Sequence, residues 1–193
     1  MADKNIKVIL FDMVGVLLFI KKNFSPITKD EINASNIESL YNHTDDKKLL
    51  IDIKDKLNLD EVSLEKALEC LPKKFEKFEA LWKILSKLKE KYDLAVINNG
   101  NALAMKYWQQ DFDFSIFNFF INSAQEGIKK PDPKIYLLTC QKLAVSPENC
   151  LFMDDTLENV QTADDLGMTT LWWNKDKSRE ENLKQFLELI KFK

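Results

Sequence analysis

Apolar runs that end abruptly in polar residues recur along this chain. Residues 6–11 (IKVILF) stop at Asp12, with Gly15 just beyond. Residues 94–97 (LAVI) stop at Asn98-Asn99-Gly100, and residues 150–153 (CLFM) stop at Asp154-Asp155. Runs this short and this apolar read as buried strands that feed loops. Residues 119–121 and 169–172 predict two more strands. Helical spacing fills about 102–110, 133–143 and 159–166, and an amphipathic helix covers about 179–192. Strands alternating with helices predict an α/β fold, a Rossmann-like parallel sheet with helices on both faces.

The segment from about 21 to 89 breaks that alternation and reads as wholly helical. Thr28 and Glu31 have capping-box spacing. Thr44 can cap a second helix with Leu49, Leu50 and Ile53 on its apolar face. Val62, Ala67, Leu68 and Leu71 suggest a third, stopped by Pro72. Phe75, Phe78, Trp82, Leu85 and Leu88 recur at three- and four-residue steps, as in an amphipathic helix. A helical block inserted just after the first strand's loop predicts a small α-helical cap over a site. The expected division is a core of residues 1–19 and 90–193 and a cap of residues 20–89.

Composition narrows the chemistry. The 193 residues are 45% hydrophobic and 31% charged, with net charge -3, so no whole-protein field favours nucleic acid or anionic lipid. Neither a nucleic acid nor a membrane is expected as a partner. His43 is the single histidine, which excludes two-histidine zinc motifs and histidine-nucleophile phosphatases. Arg179 is the single arginine. Cys70, Cys140 and Cys150 contain no CxxC pair and read as buried thiols in a reducing cytosol. Residues 1–7 are polar and unlike a signal peptide, and the longest apolar stretch, 8–20, is interrupted by Asp12. The expected location is therefore cytoplasmic. Oligomeric state is not encoded legibly. The chain has only 4 glycines, and Gly15 and Gly100 follow the polar residues that end two strands. Walker A and GxGxxG loops are excluded by the same count.

In open α/β sheets the carboxyl ends of the strands line the ligand crevice. That rule gathers Asp12, Asn98, Asn99, Asp154 and Asp155, with Lys130 on a nearby loop. Three carboxylates in one crevice repel, and one lysine cannot balance them. A hard divalent cation can, and Mg²⁺ favours one or two carboxylates with carbonyl, water and phosphate oxygens. Asparagine side chains and the N–H groups of Asn99 and Gly100 can hold an anion. The sum is a site for a phosphoryl group between Mg²⁺ and Lys130.

These residues resemble the haloacid dehalogenase superfamily, in its branch of small phosphatases with helical caps. The resemblance lies in VILFDMVGVL (8–17), LAVINNG (94–100), GIKKPDPKIY (127–136) and CLFMDDTLENVQTADDLGM (150–168). It implies a phosphatase acting on a small phosphorylated metabolite, such as a sugar phosphate. Asp12 would be the nucleophile and form an aspartyl-phosphate. Mg²⁺ would be held by Asp12, the main-chain carbonyl of Val14 and Asp155. Lys130 would offset charge on Asp12 and the phosphoryl oxygens. Asn98 stands where the family has Ser or Thr and would bind phosphate, as would Asn99, which would also order its loop. Asp154 would orient Lys130 or a metal-bound water, and Asn159 would cap or brace the metal loop.

One residue departs from the family pattern. Val14 stands where its phosphatases carry a second Asp as general acid and base. Three readings follow: a substrate whose leaving group needs little protonation, a proton carried by water or a cap residue, or a protein that binds phosphorylated ligands without turnover. Two rivals stand beside them. A dehalogenase needs an arginine near the start of the cap, and the only arginine is Arg179. A phosphonate hydrolase needs a cap lysine as Schiff base, and residues such as Lys47 and Lys54 are too numerous to choose between.

Overall fold

The computed structural model describes residues 5–40 and 45–192. Strand β1 (Val8–Phe11) leads through a turn into β2 (Leu18–Ile20). Three helices follow, α1 (Lys29–Ser39), α2 (Asp46–Leu57) and α3 (Glu61–Cys70), and then β3 (Phe75–Lys77), which pairs antiparallel with β2. The rest alternates: α4 (Glu79–Lys89), β4 (Asp93–Asn98), α5 (Met105–Asp111), β5 (Phe119–Asn122), α6 (Ser123–Glu126), α7 (Pro133–Lys142), β6 (Cys150–Asp154), α8 (Leu157–Asp165), β7 (Thr169–Trp172) and α9 (Arg179–Leu189).

The main sheet is parallel throughout, in the order β5-β4-β1-β6-β7. It is the α/β Rossmann-like architecture that the alternation predicts. β1 is central, with Leu10 opposite Ala95 of β4 on one side and Phe152 of β6 on the other. The chain winds outward from β1 to β4 and β5, then crosses back to β6 and β7. This makes the β1–β6 boundary a topological switch point, where such sheets bind ligands.

Strand side chains alternate between two cores. Ile9, Phe11, Leu94, Val96, Leu151 and Met153 face α4 and α9, meeting Leu81, Leu85, Leu88 and Phe186. Val8, Leu10, Ala95, Ile97, Cys150 and Phe152 face α7 and α8, meeting Ile135, Tyr136, Cys140 and Ala163. A third cluster lies outside the sheet and joins Ala34 and Ile37 of α1, Leu49 and Ile53 of α2, and Ala67 and Leu68 of α3 with Leu71 and Ala104.

Several expectations for the inserted segment are corrected. It is not wholly helical, because residues 75–77 form β3. Phe75 therefore lies in a strand, Phe78 caps α4, and the helix begins at Glu79. The three-residue step from Phe75 to Phe78 mimics helical spacing. The backbone is instead held by β2, with Lys21 N–H donating to Lys74 C=O at 2.8 Å and Phe78 N–H to Leu17 C=O at 3.0 Å. The α4 side chains Leu81, Leu85 and Leu88 belong to the sheet's core rather than to the α1–α3 cluster. Thr28 does close a capping box with Glu31. Thr44 and His43 lie outside the described residues; α2 is capped by Asp45, whose carboxylate accepts from Lys47 N–H at 2.8 Å. Cys140 and Cys150 are buried, whereas Cys70 is only half-buried. Among the described residues no helix is long and apolar enough to cross a membrane.

Candidate active site

Asp12 is the first residue past β1, and its N–H donates to Met153 C=O at 2.8 Å, continuing the β1–β6 pairing by one step. This places Asp12 beside the carboxyl end of β6, where Asp154 and Asp155 stand. Oxygens of the three carboxylates lie within 4.8 Å of one another. The loop before α7 brings in Lys130, whose side chain is 1% exposed. Its Nζ donates to Asp12 Oδ1 at 2.6 Å and to Asp154 Oδ2 at 2.7 Å.

Each member is braced. Asp154 accepts from Asn159 Nδ2 at 3.0 Å on both oxygens and from Thr156 N–H at 2.8 Å. Asn159 sits in the first turns of α8, and its own C=O accepts from Tyr136 Oη at 3.0 Å. Asn99 clamps the lysine's backbone, with Oδ1 accepting from Lys130 N–H and Nδ2 donating to Lys130 C=O, both at 2.8 Å. Asp155 accepts from Lys175 Nζ at 2.9 Å, and Trp172 Nε1 donates to its C=O at 3.1 Å.

Burial raises the Asp12 carboxyl from its ordinary 3.8 to about 7. Lys130 pulls it down, but Asp154 and Asp155 push it up again. Three carboxylates meet two lysine ammoniums here, Lys130 and Lys175, so one negative charge is left over. A cluster of oxygen donors with surplus negative charge is what a hard cation requires, so these residues fit Mg²⁺.

Gly15 contributes by having no side chain. Its φ is +104°, and a Cβ placed there would stand 2.2 Å from Asp155 Oδ2. Only glycine allows that approach of backbone to carboxylate. Asn98 is buried at the end of β4. Gly100 N–H, expected to be open to an anion, instead donates to Ser123 Oγ at 2.9 Å. The loop after β4 is tied to β5 and α6 before any ligand arrives.

A cavity of about 330 Å³ opens over this cluster. Asp12, Val14, Asn98, Asn99, Lys130, Asp154, Asp155 and Asn159, the residues expected to form the site, all border it. Trp108 also lines this cavity, whereas Phe19 lies beneath the Arg179 guanidinium at 3.9 Å. Sequence reading missed Thr156, Tyr136, Lys175 and Glu38. Lys175 follows the end of β7 and was open to the same strand-end rule. Glu38, on a helix remote in sequence, left no signal.

Comparison with known proteins agrees with this geometry. The chain matches the haloacid dehalogenase-like hydrolase family over residues 6–167. It is 32% identical over 99 residues to glyceraldehyde 3-phosphate phosphatase of Pyrococcus furiosus, across 49% of this chain and 40% of that protein. The chain spans less than half the length of the curated relatives it matches. Its fold matches a HAD-like family hydrolase of Porphyromonas gingivalis at TM-score 0.72, with 20% identity over 95% of this chain and 98% of that one. It also matches a HAD family enzyme of Bacteroides thetaiotaomicron, crystallised with magnesium and inorganic phosphate, at TM-score 0.69. That match has 19% identity over 86% of this chain and 93% of that one. With the family motifs meeting at one strand boundary, the chain belongs to the haloacid dehalogenase-like hydrolases.

Proposed function

We propose that this protein is a Mg²⁺-dependent phosphomonoesterase of a small phosphorylated metabolite, with Asp12 as nucleophile. One observation carries the reading: a buried lysine shared between Asp12 and Asp154, beside a third carboxylate and beneath an open cavity. The phosphatase name of the Pyrococcus furiosus relative and the magnesium and phosphate of the Bacteroides enzyme support it. No arginine lines the cavity, since Arg179 pairs with Glu76 at 3.3 Å. That disfavours recognition of a haloacid carboxylate, which calls for a guanidinium fork.

Asp12, the main-chain carbonyl of Val14 and Asp155 would hold the ion. When bound, Mg²⁺ supplies the positive charge that lets a phosphate dianion approach an ionised Asp12. A carboxylate oxygen of Asp12 attacks phosphorus, the ester P–O bond breaks, and the leaving oxygen takes its proton from water. Water then attacks the aspartyl-phosphate at phosphorus, releasing inorganic phosphate and restoring Asp12. Lys130 keeps Asp12 charge-balanced, and its third N–H remains to serve a phosphoryl oxygen. Asn98 donates to another, while Asn99 fixes the loop that carries Lys130.

Val14 can donate no proton, so the substrates served best are those with good leaving groups, such as sugar 1-phosphates or acyl phosphates. The same residue favours a second reading, a phospho-ligand binder with little turnover. We also propose the division into a core of 1–19 and 90–193 and a cap of 20–89. The cap's own unit would be the α1–α3 cluster, with α4 anchored on the sheet. Asp12→Asn decides the main claim. Phosphate release from a panel of esters with Mg²⁺ is expected to vanish in a protein that still folds; release at the wild-type rate would reject covalent catalysis by Asp12.

A further inference from the structure

The lining of the cavity is of two kinds. Besides the polar residues of the site it includes the apolar Leu71, Phe75, Met105 and Trp108, and Glu38 of α1. Among the described residues, Glu38 is the one titratable side chain lining the cavity outside the Asp12, Lys130, Asp154 and Asp155 cluster. It is half-buried and ion-paired with Lys74, which is itself 15% exposed. Lys74 does not line this cavity; it pairs with Glu38, borders a small neighbouring cleft with it, and holds its Nζ 5.0 Å from the Phe75 ring centroid.

A carboxylate held by one lysine keeps lone pairs for a second partner, and it can only accept. Its charge is already answered, so it does not demand a cationic ligand. A second phosphate or carboxylate on the substrate would meet a like charge. Apolar side chains beside it suit the C–H faces of a carbon skeleton. We propose that Glu38 is the specificity residue for the leaving group. The substrate class is then a phosphomonoester of a neutral, hydroxylated carbon skeleton with no second anionic group, its hydroxyls donating to Glu38. This deepens the phosphatase reading and rests on it for the position of the phosphoryl group.

The test separates the two. Alkyl phosphonates bind as phosphate esters do but cannot be hydrolysed, so affinity is readable whether or not turnover occurs. Wild type, Glu38→Gln and Glu38→Ala are titrated calorimetrically with Mg²⁺ against a trihydroxybutyl phosphonate, butyl phosphonate and a butane bisphosphonate. Wild type is expected to prefer the hydroxylated ligand to the plain one by about tenfold, the low end of what one hydrogen bond to a charged group is worth. Glu38→Ala should bring that ratio near one, and Glu38→Gln, which keeps one acceptor oxygen, should fall between. A wild type without the preference, a ratio unchanged in Glu38→Ala, or tightest binding of the bisphosphonate would each overturn the assignment. Absence of phosphate release from every ester would instead overturn the phosphatase reading and leave this ratio intact.

Discussion

Val14 borders the cavity at 37% exposure, two residues from Asp12, and has no ionisable group. A general acid–base group contributes roughly 10²- to 10⁴-fold where the leaving group is poor. Val14→Asp should therefore raise kcat on alkyl phosphates about tenfold or more, with little change on p-nitrophenyl phosphate. A fall on every substrate would show that water already serves the leaving oxygen better. Gly15 sets a tighter constraint. Gly15→Ala forces a Cβ into the Asp155 carboxylate at a φ that alanine resists. Calorimetric titration should show Mg²⁺ affinity reduced by about tenfold, the low end of what displaced metal-site contacts cost, while the fold survives. Asp12 and the Asp154-Asp155 pair were legible from the sequence because each ends an apolar run. The support around them was not. Tyr136 reaches Asn159 across 23 positions and Asn99 reaches Lys130 across 31, and such pairings leave no periodic trace.

At the scale of elements, α4 shows how an inserted segment is tied to the core. Its apolar face carries Leu81, Leu85 and Leu88 onto the β1, β4 and β6 residues that end in site groups. Leu85 is 1% exposed, so Leu85→Ala should cost about 2–5 kcal/mol in urea unfolding through the cavity it leaves. A cost under ~1 kcal/mol would mean that α4 can collapse inward. The five sheet strands were each visible in the sequence: the buried β1, β4 and β6 as nearly continuous apolar runs, and the more exposed edge strands β5 and β7 as short runs of β-prone residues. β2 and β3 were not. They hold three residues each, and only mutual pairing tells β3 apart from the first turn of a helix.

For the whole molecule, the surplus of negative charge links metal, protons and stability. The Asp12 carboxyl is raised from 3.8 to about 7, chiefly by burial. Its protonated form is therefore favoured in the folded state. Without metal, the stability that this proton provides is complete below the ordinary carboxylate range and is lost as pH rises through about 7. A bound Mg²⁺ would require the ionised form, so the ion and the proton would compete. The rise in Tm on adding Mg²⁺ should be small at pH 6 and larger at pH 8. An equal shift at both would show that Asp12 is ionised throughout and bears no part in the linkage.

Sequence by itself determined the parallel α/β core, the residues that would end its central strands and the presence of a largely helical insertion. Those features are written locally, in runs of apolar residues, in abrupt polar stops and in the motifs that follow them. Only the tertiary structure decided which groups face one another. It placed Lys130 between Asp12 and Asp154, engaged Gly100 N–H with Ser123, and set Glu38 at the border of the cavity. These are contacts between distant segments, set by how the sheet is wound and how the helices settle on it. A one-dimensional pattern carries no record of that geometry.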